Sequence, residues 1–312
     1  MGRKYITASG ILKVMKNAFA HFGDDKVAKL SGSLAYSTVF SFGPLLIVII
    51  SLCGFFLGRE AIEGQVYRQL VSFVGTDTAK QLQEIIKNAS LSGKSLTAAV
   101  IGAVTLLIGA TAIFSEIQDS INSIWGIKPK PKKGWLQFLK NRLLSFSVII
   151  GLGFLLLVSL SVNTVVDAFN TRLQRMFPDV AIVVFYILNM VITLLVVSLI
   201  FAVIFKVLPD ADIKWRDIRA GAVVTGLLFM LGKAAISFYI SKTNVGSTYG
   251  AAGSLVILLV WVYYSSIILY FGAEFTKAFT AEYGRAIHPN QYSVATQTVE
   301  IEKGKEPVNK QD

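Results

Sequence analysis

The sequence predicts an all-α protein, a polytopic membrane bundle of six transmembrane helices. An amino-terminal interfacial amphipathic helix and a short helical outer-loop cap complete that expectation. Three observations carry it. Of 312 residues, 54% are hydrophobic and only 16% charged, whereas soluble domains carry about a quarter charged residues. Six mainly apolar runs are long enough to cross a bilayer, which takes about 20 such residues. Lysine and arginine gather in alternate connections between those runs.

The arm over residues 1–29 comes first. In "ILKVMKNAFAHF" (11–22), Ile11, Met15, Phe19 and Phe22 recur at helical spacing, with Lys13 and Lys16 off that stripe. The pattern suits a helix lying in the membrane surface with its lysines near anionic headgroups. Lysine interrupts the stretch too often for the apolar core of a signal peptide. The start "MGRKYI" lacks the Ser or Thr of a myristoylation signal.

The membrane domain spans 30–282. Its six runs are about 32–57, 96–124, 142–166, 180–206, 218–241 and 250–278, each bounded by charge, Pro or Asn. Within 58–95, "EAIEGQVYRQLVSFVG" and "TDTAKQLQEIIKNAS" each suit a short helix, the second capped by Thr76 or Asp77. The tail, 283–312, is polar and charge-mixed and reads as disordered.

Orientation follows from the basic residues. The arm carries Arg3, Lys4, Lys13, Lys16, Lys26 and Lys29. The loop "KPKPKKGWLQFLKNR" carries Lys128, Lys130, Lys132, Lys133, Lys140 and Arg142. Lys206, Lys214, Arg216 and Arg219 follow the fourth run, whereas 167–179 offers only Arg172 and Arg175, and 242–249 only Lys242. Both termini are expected in the cytoplasm of a bacterial inner membrane.

Composition also narrows the chemistry. The two histidines, His21 and His288, sit in opposite tails, and Cys53 is the single cysteine. A histidine metal centre, a catalytic triad and a disulfide framework are therefore not expected. No GxxxxGK[ST] run is present. The expectation is a protein without enzymatic activity, metal or cofactor. The net charge of +11 is assigned to membrane topology and anionic headgroups rather than to nucleic acid.

Four stretches then carry a resemblance: "LAYSTVFSFGPLL" (34–46), "EIQDSINSIWGI" (116–127), "VLPDADIKWRDIRAGAVVTGLLF" (207–229) and "YGAAGSLVILLVWVYYSSIILYFGAEFTKAF" (249–279). Together, in this order, they resemble the YihY/BrkB family of bacterial inner-membrane proteins, once labelled ribonuclease BN. The likeness covers about 27–282. It implies a polytopic membrane protein with no settled common activity, some members being linked to resistance to host killing or to envelope lipid export. In that family an Asn often follows Gly-Ala-Glu after one residue, whereas Thr276 stands here.

Ionisable groups inside spans are costly, so each is a functional candidate. At about 1.5 Å per residue, Glu274 falls at the inner end of the last run. Glu116 and Asp119 fall at the same level of the second run. Glu116, Asp119 and Asn122, spaced by three, share a helix face. With Arg142 at the foot of the third run and Glu274, they form a candidate inner gate or a salt-bridge belt. The inner half of the first run presents Ser33, Ser37 and Ser41 in one stripe, with Tyr36 beside it and Pro44 breaking the helix near mid-bilayer. These five are the candidate cavity lining, or else packing contacts. Lys233 lies deepest, with Asn189 at similar depth on the fourth run, and the pair forms a candidate outer polar site, although snorkelling would also accommodate the lysine.

The functional expectation is a transporter or exporter of a lipid or anionic amphiphile through a polar cavity in the bundle. The alternative is a non-transporting envelope scaffold. A ribonuclease is not expected.

Overall fold

The computed structural model describes residues 7–39, 112–130, 178–242, 253–284 and 287–296. The third predicted run, the outer helices of 58–95, Ser41, Pro44, Arg142 and the tail beyond 296 lie outside the described residues. So do most of the first run and the start of the second.

Helix α1 (Ala8–Asp24) begins where Thr7 takes an extended backbone and its Oγ1 accepts the Gly10 N–H at 3.2 Å, filling an otherwise orphan donor. The helix stops at a turn in which Lys26 holds φ 53. A second helical stretch, α2, then runs over 27–39. The face that α1 buries is offset from the predicted stripe. Val14 and Ala18 are inaccessible and pack on Phe271, Phe275 and Phe279, with Met15 and Phe22 partly covered beside them. Ile11 and Phe19 stay exposed, as does Leu12. The cause is α6, which α1 follows antiparallel: the small Ala18 and the β-branched Val14 seat Phe275 and Phe279 beneath α1, while Phe19 meets Phe271 at the margin. Lys13 donates to Glu282 at 2.8 Å, and that carboxylate raises the lysine above its usual range. This surface contact is therefore present at neutral pH, and its alkaline loss comes as the pH rises through the raised pKa.

Three long helices follow the predicted runs closely. α4 (Pro178–Val207), α5 (Trp215–Lys242) and α6 (Gly253–Tyr283) each contain a segment long and apolar enough to cross a membrane. Pro178 opens α4, at a helix start where its missing N–H costs nothing. Along α4, Val184, Ile187, Val191, Leu195 and Leu199 are exposed, as suits a helix facing hydrocarbon. Asp217 in the first turn of α5 complements the helix dipole.

The seam between α5 and α6 is a reciprocal fit. Gly221 and Thr225 on α5 face Thr276 and Gly272 on α6: a Cβ at Gly221 would strike Thr276, and one at Gly272 would strike Thr225. Each threonine hydroxyl turns back onto its own helix, Thr225 donating to Gly221 O at 2.6 Å and Thr276 to Gly272 O at 2.7 Å. Small residues thus let two backbones approach while the hydroxyls remain satisfied inside an apolar layer. Thr276 is the position at which the chain departs from the expected Asn.

The tail does not follow its expectation over 287–296. Helix α3 (112–124) leaves through Gly126 at φ 65 into strand β1 (Ile127–Pro129), which pairs antiparallel with β4 (Ser293–Ala295). Between α4 and α5, β2 (Ala211–Asp212) pairs with β3 (His288–Pro289). Two short ribbons therefore strap this part of the tail across one end of the bundle, which we call the tail end. Polar composition suggested disorder, but the strap draws its order from backbone pairing with distant loops and from the buried Ser293.

Candidate functional site

Among the described residues, the tail end gathers most of the buried polar groups. Its first centre is Asp210, in the "LPDAD" connection after α4. Asn122, 2% exposed, binds it twice: its amide donates to Asp210 Oδ2 at 3.0 Å, and its carbonyl accepts the Asp210 N–H at 2.8 Å. Gln118, one turn earlier on α3, donates to the same Oδ2 at 3.2 Å. The Asp210 carbonyl in turn accepts from Ser293 Oγ at 2.7 Å and from the Asn290 N–H at 3.0 Å. One residue thereby ties together α3, the α4–α5 connection and the strap.

The second centre is Glu274 on α6. It is 1% exposed, and its Oε1 has no hydrogen-bond partner. Its Oε2 lies 3.9 Å from Lys277 Nζ, but Lys277 sits closer to Asp25, at 2.8 Å. Two carboxylates from different helices therefore share one ammonium, and the buried one has the weaker claim. One turn away, Tyr270 is fully buried beside Ser120, and its hydroxyl makes no hydrogen bond of good geometry. Ser31, fully buried on α2, likewise has no partner for Oγ. Lys277 ties α6 to Asp25 in the turn before α2, and Val27 and Leu34 of α2 share one core cluster with Tyr270. Trp125, at the exit of α3, fixes the third wall by donating Nε1 to the Ala273 carbonyl at 3.0 Å.

Of the predicted gate residues, Asn122 and Glu274 are buried at the tail end, Glu116 is half-buried and Asp119 is exposed. Among the described residues, Asn122 reaches across to Asp210, and no hydrogen bond joins it to Glu116 or Asp119. Of the predicted cavity lining, Ser33 and Tyr36 are exposed and Ser37 is half-buried, whereas the buried hydroxyl of α2 belongs to Ser31. The stripe that starts at Ser33 lies on a different face of α2 from Val27, Ser31 and Leu34, which are buried. Lys233 is exposed on α5, and the Asn189 side chain lies outside the described residues. Sequence reasoning missed Asp210, Ser31 and Tyr270. The helical spacing of Ser31 with Val27 and Leu34 carried a signal, but the carboxylate in a Pro-containing connection carried none.

The model of the virulence factor BrkB family matches residues 18–295, nearly the whole chain. The chain belongs to the BrkB family. Among similar BrkB-type proteins is a UPF0761 membrane protein of Ralstonia nicotianae, 26% identical over 269 residues that make up 83% of this chain and 57% of that protein. A UPF0761 membrane protein of Chromobacterium violaceum is 29% identical, covering 81% of this chain and 58% of the relative. The chain thus spans under 60% of the length of these two relatives. A shorter relative, from Vibrio vulnificus, is 27% identical over 91% of this chain and 88% of its own length. No solved structure matches. With its long apolar helices, this BrkB-family chain is an integral membrane protein.

Proposed function

We propose that the protein is a transporter or exporter of a lipid or anionic amphiphile, with the tail end as its loading end. That end faces the cytoplasm of a bacterial inner membrane in this reading, because the basic connections converge there. The observation that carries the proposal is the buried carboxylate of Glu274, with an unpartnered oxygen, one helical turn from the buried Tyr270 hydroxyl, which also lacks a partner. Buried polar groups without protein partners are occupied by water or ligand in functioning proteins. An ionisable residue inside a membrane bundle is a functional-site candidate by default. The protein performs no catalytic step in this account, and anionic headgroups gather at its basic loops. A non-transporting scaffold would instead keep this centre dry.

Transfer of a short-chain fluorescent anionic lipid between leaflets of proteoliposomes tests the proposal. The native chain is expected to accelerate transfer over protein-free vesicles. Glu274→Gln is expected to slow it about tenfold, the equivalent of 1.4 kcal/mol, while the melting temperature stays close to native. Native protein that moves lipid no faster than empty vesicles would overturn the reading.

A further inference from the structure

A groove of about 400 Å³ runs along the bundle between α1, α5 and α6, within the usual size range of ligand pockets. One end is closed by aromatic rings: Phe19 and Phe22 of α1 stand against Phe271, with centroids 4.7 and 6.4 Å away. From there the groove follows Leu228 to Ala235 of α5, about 10 Å of helix. Gly232 sets its width, because a Cβ there would run into Tyr264 and Ile268. Without that side chain, both residues settle against the α5 backbone.

Two features identify the occupant. The α5 and α6 walls fall inside the segments Trp215–Ile236 and Leu255–Tyr283, which are apolar enough to cross a membrane, so the groove lies at the depth of the lipid tails. The lining is carbon apart from the tip of Tyr264. Water gains nothing in such a slot, and a flexible alkyl chain fills it. The charge at the closed end selects among lipids. Lys16 is exposed one turn before Phe19, and Lys26 is exposed one turn after Phe22, whereas Lys13 and Lys277 are held by Glu282 and Asp25.

We propose that this groove seats an acyl chain of an anionic phospholipid, whose headgroup rests beside Lys16 and Lys26. The site names the substrate class of the transporter and, in calling that lipid a substrate, rests on the reading above. Occupancy itself is tested apart from transport.

The probe is phosphatidylglycerol carrying a diazirine midway along one acyl chain, compared with the same phosphatidylcholine, in nanodiscs holding the full chain. Photolabel is expected to concentrate on 228–235 and 264–271, several-fold more from phosphatidylglycerol, since each juxtamembrane lysine contributes about 1 kcal/mol toward anionic lipid. Ala235→Trp is expected to cut that labelling several-fold while leaving label on Leu195 and Leu199 of α4 unchanged. Lys16→Ala with Lys26→Ala is expected to abolish the headgroup preference and keep the label. Should Ala235→Trp fail to fold, competition on the native chain decides: unlabelled phosphatidylglycerol must displace groove label before α4 label. Equal labelling of groove and α4, undisturbed by Ala235→Trp or by competitor, would show ordinary bilayer lipid and overturn the inference. Intact groove labelling in a chain that transfers no lipid would overturn the transport reading alone.

Discussion

Gly272→Ala is expected to lower stability by about 1–3 kcal/mol, the usual cost of forcing an extra methyl into a filled core. The new Cβ would overlap the Thr225 side chain. Thr225 cannot simply rotate away, because its hydroxyl is committed to the Gly221 carbonyl and would be left unpaired in an apolar layer. The α5–α6 crossing would therefore have to open, loosening Gly221 against Thr276 as well. Unfolding in detergent with graded denaturant checks the size. The double change Gly272→Ala with Thr225→Ala is expected to recover part of the loss, since the larger member of the clash is gone. Full additivity of the two single effects would show that the residues do not meet.

Asn122→Ala is expected to cost about 1–3 kcal/mol, the range for leaving a buried polar group unsatisfied. Its side chain alone supplies both a donor to the Asp210 carboxylate and an acceptor for the Asp210 N–H. Gln118 retains one contact to that carboxylate, but no other described residue reaches the N–H. Asp210 also positions Asn290 and Ser293, so the strap should loosen with it. Limited proteolysis is expected to cleave the variant between 285 and 296 several-fold faster than the native chain, before the bundle melts. Unchanged cleavage would show that strand pairing alone holds the strap.

Why these two sites were not equally readable in the sequence is a matter of distance along the chain. The long helices α4, α5 and α6 are written locally, as unbroken apolar runs between charges. Their predicted limits differ from the observed ones by a few residues. Glu274 could be singled out because a carboxylate in such a run is conspicuous, and Asn122 because it lies at helical spacing from Glu116. The partners of both come from far away. Asp210 is 88 residues from Asn122, and Asp25 is 252 residues from Lys277. Strands of two or three residues containing Pro129 and Pro289 leave no periodic trace. On α1 the stripe read from spacing as membrane-facing leaves Ile11 and Phe19 exposed, and what spacing left unread is the second face, Val14 and Ala18, packed on α6. Spacing identifies an apolar stripe, but the shape of α6 decides which residues on that side fit against it.

The central claim is that the buried polar centre around Glu274 is reached by water from the tail end. Its most direct test is thiol accessibility at Ser31→Cys in a Cys53→Ser background, with a membrane-impermeant reagent applied separately from each side of sealed vesicles. The account predicts labelling from the tail side alone, slowed when the anionic lipid is supplied. Protection from both sides in a folded chain, with or without lipid, would contradict it and leave a dry, packed scaffold.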